Sequence, residues 1–319
     1  MTLASVGYVG YGEETVEGDL SVPSIFLPVS AFNIDSTWDY IIPEQLRGSR
    51  DRSIALPSAY SVSGSMDLEL VPLGIRSLLK SALAHEGAIT PSAYSGGGYQ
   101  AVLTPGNATI PTFSFEAGAG DIMVMRYGGI RINTLDINAA FNEIVTASFG
   151  LEGTTREKQG SPTSETYAEI LPFHFTGASV TRDGVEMANV KSFSFSLGNN
   201  LDRIGTLRKT RSWKRTALGN RDVGLSMTMD FENDDDYDLF LAESEFAVVL
   251  HLEGDFIAGS SGPRHTLVIE VPRVRWNMIG LPLNAGDYLE QSAEATILRP
   301  LSGDPVLEMT LVNTESTDF

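Results

Sequence analysis

Polar and apolar residues alternate with period two through most of the patterned segments of this chain, as in a strand with one face buried and the other in water. In Ser65-Met66-Asp67-Leu68-Glu69-Leu70 the apolar Met66, Leu68 and Leu70 share one face, and Ser65, Asp67 and Glu69 the other. The same alternation runs through Ser226-Met227-Thr228-Met229-Asp230-Phe231, through 193–197 and through 290–297. Further strands are predicted at 99–103, 111–116, 143–149, 246–252 and 266–271. Helical spacing is confined to Leu73 to Ala84, which opens after Pro72, and to Asp234 to Glu243, whose acidic start suits the positive end of a helix dipole. Arg182-Asp183-Gly184 reads as a hairpin turn, and the glycines at 96–98 and 259–262 as loop tips. Gly7-Tyr8-Val9-Gly10-Tyr11-Gly12 is expected in a mobile N-terminal arm, and the polar, aperiodic stretch from Gly150 to Pro172 reads as a linker.

The two sides of that linker resemble each other. At an offset of 161 residues Val29 meets Val190, Phe32 meets Phe193, Leu46 meets Leu207, Arg47 meets Arg208, Arg50 meets Arg211, Val62 meets Val223, Ser65 meets Ser226 and Met66 meets Met227. The order of strand, loop, strand and helix coincides as well. Past the helices the register shifts, and 99–103 is expected to correspond to 246–250. A unit present twice makes two similar domains and no solenoid, which needs at least three repeats. The predicted organisation is an arm at 1–28, a β-domain at 29–152, a linker at 153–172 and a second β-domain at 173–319.

Length and composition fit that picture. The 319 residues are 42% hydrophobic and 20% charged, enough to bury a sizeable core. With no cysteine, disulfides, thiolate catalysis and zinc-thiolate or iron–sulfur ligation are excluded. The opening residues carry no basic stretch followed by an apolar run, and no apolar segment approaches the roughly 20 residues of a membrane helix, so neither a signal peptide nor a membrane span is expected. A net charge of −19 opposes an extended phosphate-neutralising surface.

Candidate chemistry is sparse. His85, His174, His251 and His265 fall in no metal-ligand spacing, and no phosphate-binding, dinucleotide-binding or nucleophile-elbow motif is present. Asp234-Asp235-Asp236 lacks the spaced ligands of a calcium loop and reads as a solvated helix start. Carboxylate pairs such as Asp67 with Glu69, or Glu290 with Glu294, could serve a hydrolase, but wet strand faces account for them. No catalytic residue, cofactor or metal is therefore assigned.

The unusual local feature is basic. Arg203, Arg208, Lys209, Arg211, Lys214, Arg215 and Arg221 crowd one stretch of an acidic chain, and the place of this stretch in the first half holds Arg47, Arg50 and Arg52. Both sets lie on the long connection between two strands. Nucleic-acid binding, a solvated loop and contact with an acidic face of another copy are the three readings, and the charge distribution favours the last.

The stretch Gly10-Tyr11-Gly12-Glu13-Glu14-Thr15, the segment from Val190 to Leu201, and a Ser-Met strand followed by a helix and two strands together resemble phage tail tube proteins of long-tailed viruses, of siphovirus type, over most of the chain. The resemblance implies mainly β, sandwich- or barrel-like domains, each flanked by a short helix. It also implies rings that join their sheets around a lumen and stack into a tube. The long loops then reach the adjacent ring, and Arg47, Arg50, Arg52, Arg203, Arg208, Lys209, Arg211, Lys214 and Arg215 are assigned to stacking. Single-domain relatives usually form hexameric rings, so a chain with two such domains is expected to form a trimer of pseudo-sixfold symmetry; a hexamer with the second domain as outer decoration is the alternative. Asp67, Glu69, Asp230, Glu290 and Glu294 are the candidate lumen acids, past which genomic DNA slides without specific binding. The expected partners are other copies and other tail proteins, with no membrane. The expected location is the virion tail, assembled in the host bacterial cytoplasm. The competing readings are a carbohydrate-binding β-sandwich or adhesin, a β-rich hydrolase, and another tail ring component such as a distal tail or terminator protein.

Overall fold

The computed structural model describes residues 7–45, 48–107, 110–120, 122–207, 209–211, 213–283 and 288–317. Its first part runs β1 (Gly7–Glu13), β2 (Ile25–Phe26), β3 (Val29–Ile41), β4 (Leu56–Glu69), α1 (Arg76–Ala82), β5 (Ser92–Ala93), β6 (Tyr99–Leu103), β7 (Phe113–Ala119), β8 (Met123–Ala140), β9 (Thr146–Gly153) and β10 (Thr155–Gln159). The second runs β11 (Ala178–Arg182), β12 (Val185–Glu186), β13 (Val190–Gly198), β14 (Asp202–Ile204), β15 (Arg215–Ala217), β16 (Asp222–Asp230), α2 (Asp235–Leu241), β17 (Phe246–Phe256), β18 (Arg264–Gly280), β19 (Glu290–Ile297) and β20 (Glu308–Asn313). The fold is mainly β, antiparallel throughout and consistent with a sandwich.

One sheet carries the architecture. Its strands follow the order β3–β4–β9–β8–β13–β16–β19–β18, each antiparallel to the next. Along each strand buried apolar residues alternate with polar ones. Met66 and Leu68 on β4, Phe149 on β9, Leu135 and Ile137 on β8, Phe195 on β13, Met227 on β16 and Ala293 on β19 all face the core. The long strands β8 and β18 run on into a second layer, where β8 is flanked by β7 and β10 and β18 by β17 and β20. Burying these alternating apolar faces against each other is the dominant stabilising term.

Each half uses one pairing order, β1–β7–β8–β9–β4–β3 in the first and β11–β17–β18–β19–β16–β13 in the second. The registers agree in detail. Phe32 lies opposite Met66 as Phe193 lies opposite Met227, the same shift of 161 residues. Leu135 lies opposite Phe149 as Ile279 lies opposite Ala293, a shift of 144. Both long strands break register at an asparagine, Asn133 between Ile132 and Thr134 and Asn277 between Trp276 and Met278.

The two halves pair strands at two places. β13 pairs with the C-terminal part of β8, and β6 from the first half pairs with β20 from the second. The buried Arg76 of α1 adds a tie to the C-terminal tail, donating to the Asn313 side chain at 2.9 Å and to the Glu315 and Thr317 carbonyls.

The alternating segments, both helices and the 182–184 hairpin fall where the pattern places them. Asp183 and Gly184 both take positive φ (50° and 80°), as a tight two-residue β-turn requires. Four expectations are corrected. Residues 7–13 form β1, paired along its whole length with β7 and burying Tyr8, Val9 and Tyr11, so they are no mobile arm. Within the expected linker, 155–159 is a strand, because β9 continues past Thr154 along the same flank of β8. The strand in the place of β17 is β7, not 99–103, which pairs with β20 instead. Asp236 also departs from a solvated helix start: it is buried and accepts from Arg182 and from Trp276 Nε1.

Candidate assembly surfaces

The face of the long sheet turned away from the core is lined with small polar and acidic side chains, since strand alternation puts every second residue there. Lateral pairing sets them in rows. One row runs Asp67, Ser148, Asp136, Ser196, Gly224, Thr296, and the next Glu69, Thr146, Asn138, Ser194, Ser226, Glu294. Neither row holds a lysine or arginine. The face is hollowed into a trough of about 330 Å³ around Asn138, Thr146, Ser194, Thr228 and Glu294.

All five candidate lumen acids lie on this face, in different states. Asp67 accepts from Ser148 Oγ at 2.5 Å. Glu69 and Glu294 are exposed. Asp230 and Glu290 lie opposite each other at the end of β16 and β19, and Lys191 Nζ bridges them at 3.0 Å to each. Two further acids belong to the face. Burial raises the Asp136 carboxyl above the ordinary aspartate value, and it raises Glu152 too, against the pull of the paired Arg203. Sequence reading missed both. The signal for Asp136 is the alternation Leu135-Asp136-Ile137-Asn138-Ala139, but the bulge at Asn133 shifts its phase against Ile130 and Ile132 and hides the strand.

The basic loops divide. Arg203 pairs with Glu152 and donates to the Val62 carbonyl at 2.9 Å. Arg211 donates to the Ser58 carbonyl at 2.7 Å, and its guanidinium stands 4.1 Å from the Trp38 ring centre. The 201–221 loop of the second half thus clasps the β3–β4 hairpin of the first. Arg221, deeper in, donates to the Leu83 and Gly106 carbonyls. Arg50, Arg52, Lys209 and Lys214 are exposed. The Arg215 backbone lies in β15 opposite Ile204, and Arg47 and Arg208 lie outside the described residues. Beside these cations, Tyr40, Ile41 and Leu56 form an exposed apolar tip on the β3–β4 hairpin.

The acids sit on an open sheet face, and the cations make contacts within the chain or face solvent at the loops. Among the described residues no helix is long and apolar enough to cross a membrane. The family model described as phage tail tube protein matches residues 4–296. The chain belongs to the phage tail tube protein family. No curated protein matches it. This tail tube protein is accordingly a structural component of a virion, and the family assembles with itself and with other tail proteins.

Proposed function

We propose that this tail tube protein closes into trimeric rings of pseudo-sixfold symmetry that stack into the tail tube of a siphovirus-type phage, with the acidic sheet face lining the lumen through which DNA is ejected. The observation that carries the reading is that face: hollowed, acidic and free of cations along two central rows that cross six strands. A DNA duplex is a dense line of phosphates, and central rows without lysine or arginine give it little to be held by, the cations nearer the margins, such as Lys191 and Arg203, being paired with acids. Small hydroxyl side chains keep the wall hydrated and smooth.

The shared pairing order and matching bulges support two equivalent tube domains in one chain, divided after β10, with β1 counted in the first domain. Three such chains supply twenty-four strands. Strands about 4.8 Å apart, tilted about 40° as in barrels, enclose a backbone circle about 48 Å across. The exposed Arg52, Lys209 and Lys214, together with the apolar hairpin tip, would meet the next ring.

Negative-stain electron microscopy across a concentration series, with native mass measurement of the smallest closed species, tests this. Rings of three chains and hollow tubes are expected. Rings of six chains would move the second domain to the outside, and a monomer at every concentration would overturn the assembly reading.

A further inference from the structure

We propose that each chain joins its ring neighbour by pairing the outer edge of β3 with the open flank at the end of β18, in the register by which the chain already pairs β13 with β8. The inference rests on the ring reading above.

Within the chain, one flank of β8 is taken first by β7 and then, from Thr134 to Ala140, by β13. The matching flank of β18 is taken by β17 only as far as Val274. Past that point no strand covers it among the described residues. Likewise β13 has a strand on either side, whereas β3, among the described residues, pairs with β4 alone. A long uncovered edge is an aggregation hazard unless something is built to occupy it.

The intrachain seam shows what the occupant needs. The Asn133 carbonyl accepts from the Asn199 N–H at 2.8 Å, its side-chain oxygen accepts from the Leu201 N–H at 2.9 Å, and the Phe141 N–H donates to the Lys191 carbonyl at 2.9 Å. Odd-numbered residues of β8 therefore turn their backbone groups toward β13. Their counterparts 144 residues on are Asn277, Ile279, Leu281 and Leu283. The seam leaves Leu135 and Ile137 at 0% exposure and Ala139 at 5%, whereas Leu281 stands 41% and Leu283 76% exposed. The apolar alternation is retained where only a partner could cover it. Pro282 fits too, because its place is that of Asn138, whose backbone alternates away from the seam, so the missing N–H costs no seam bond.

The chemistry of β3 matches. Phe32, Ile34 and Ser36 stand where Phe193, Phe195 and Leu197 stand in the seam. The transferred register sets Phe32 opposite Leu283, Ile34 opposite Leu281, Ser36 opposite Ile279 and Thr37 opposite Met278 of the neighbour. The loops agree independently: Arg50, exposed, holds the place of Arg211, so it would clasp the neighbour near Gly219 as Arg211 clasps Ser58. The occupant is thus a second copy of this chain.

Because the chain has no cysteine, engineered pairs report the seam cleanly. Thr37→Cys with Met278→Cys copies the Gly198 and Thr134 pair, a non-hydrogen-bonded position where Cα atoms about 4.5 Å apart suit a disulfide. Oxidised rings of this double variant are expected to run as covalent dimers and closed trimers on a non-reducing gel, with most chains linked, and each single variant as monomer. Asn33→Cys with Met278→Cys, four residues and about 13 Å out of register, is expected to stay unlinked. Hydrogen exchange on the unmodified protein gives a second readout: the amides of Phe32, Ile34, Ile279, Leu281 and Leu283 should gain protection on assembly. Rings or tubes that form without linking the first pair, that link the second better, or that leave those amides unprotected overturn the seam while the ring reading stands. Absence of any ring overturns both.

Discussion

Asn199 is the side chain on which the junction of the two halves can be tested most sharply. It is 1% exposed, and its Nδ2 donates to the Ala82 carbonyl at 2.8 Å and to the Ile132 carbonyl at 3.1 Å. One amide thereby ties the end of α1, the bulge of β8 and the exit of β13. Asn199→Ala removes two hydrogen bonds worth about 1 kcal/mol each and leaves two buried acceptors to be satisfied elsewhere, a combined loss of about 2–4 kcal/mol. For a chain of this size that lowers the thermal midpoint by about 3–6 °C. The adjacent Asn200→Gly is the control: its Nδ2 bonds to Asn220 and Asp222, but the residue is exposed, and glycine takes its φ of 46° without strain, so the change is expected within about 1 kcal/mol. Thermal and urea unfolding of both variants, followed by circular dichroism on dilute protein, make the comparison. Equal small shifts for the two would refute the assignment of Asn199 as the clasp between halves.

Three further outcomes are expected. Burial pushes the Glu116 carboxyl up, but the hydrogen bonds it accepts from Tyr8, Arg126 and Thr163 outweigh that and hold it below the ordinary glutamate value. Its contribution is therefore present above the unfolded value of about 4.3 and is lost as pH falls through the lower folded value; Glu116→Gln should flatten stability against pH in that acid window, read from urea midpoints between about pH 2 and 5. Gly64→Ala should destabilise by about 2–3 kcal/mol or more and abolish rings, because the new Cβ would lie 1.9 Å from the Asn33 carbonyl oxygen and neither backbone can yield without parting β3 from β4; a fully stable, assembling variant in a thermal melt and by electron microscopy would contradict this. Reversing Arg52, Lys209 and Lys214 together to Glu should leave the thermal midpoint within about 1 °C and shorten or abolish tubes, and micrographs showing tubes of parent length would remove these cations from stacking.

How much of this was legible in the sequence follows from the physics of each element. Strands with unbroken alternation, such as 65–70 and 226–231, announce themselves, as do helices with acidic or proline starts. β1 does not, because its glycines read as flexibility when they serve close approach: a Cβ at Gly10 would lie 2.6 Å from the Phe26 ring. The two longest strands were legible only in part, since bulges at Asn133 and Asn277 shift the phase of their alternation. The pairing of β6 with β20 joins residues some two hundred positions apart and leaves no local mark. Among the candidate site residues, the five acids share one face because alternation alone sets that outcome. The cations were harder, because Arg203 and Arg211 differ from Lys209 and Lys214 only through tertiary contacts with Glu152, Ser58 and Trp38.

The central claim is that the acidic sheet face is the wall of a tube. A cryo-electron-microscopy reconstruction of assembled tubes, resolved well enough to trace strands, tests it most directly. The account expects three chains per ring, a continuous barrel of strands, and Asp67, Asp136, Glu69 and Glu294 pointing into the lumen. A reconstruction with that face turned outward, or buried against a neighbour, would contradict it.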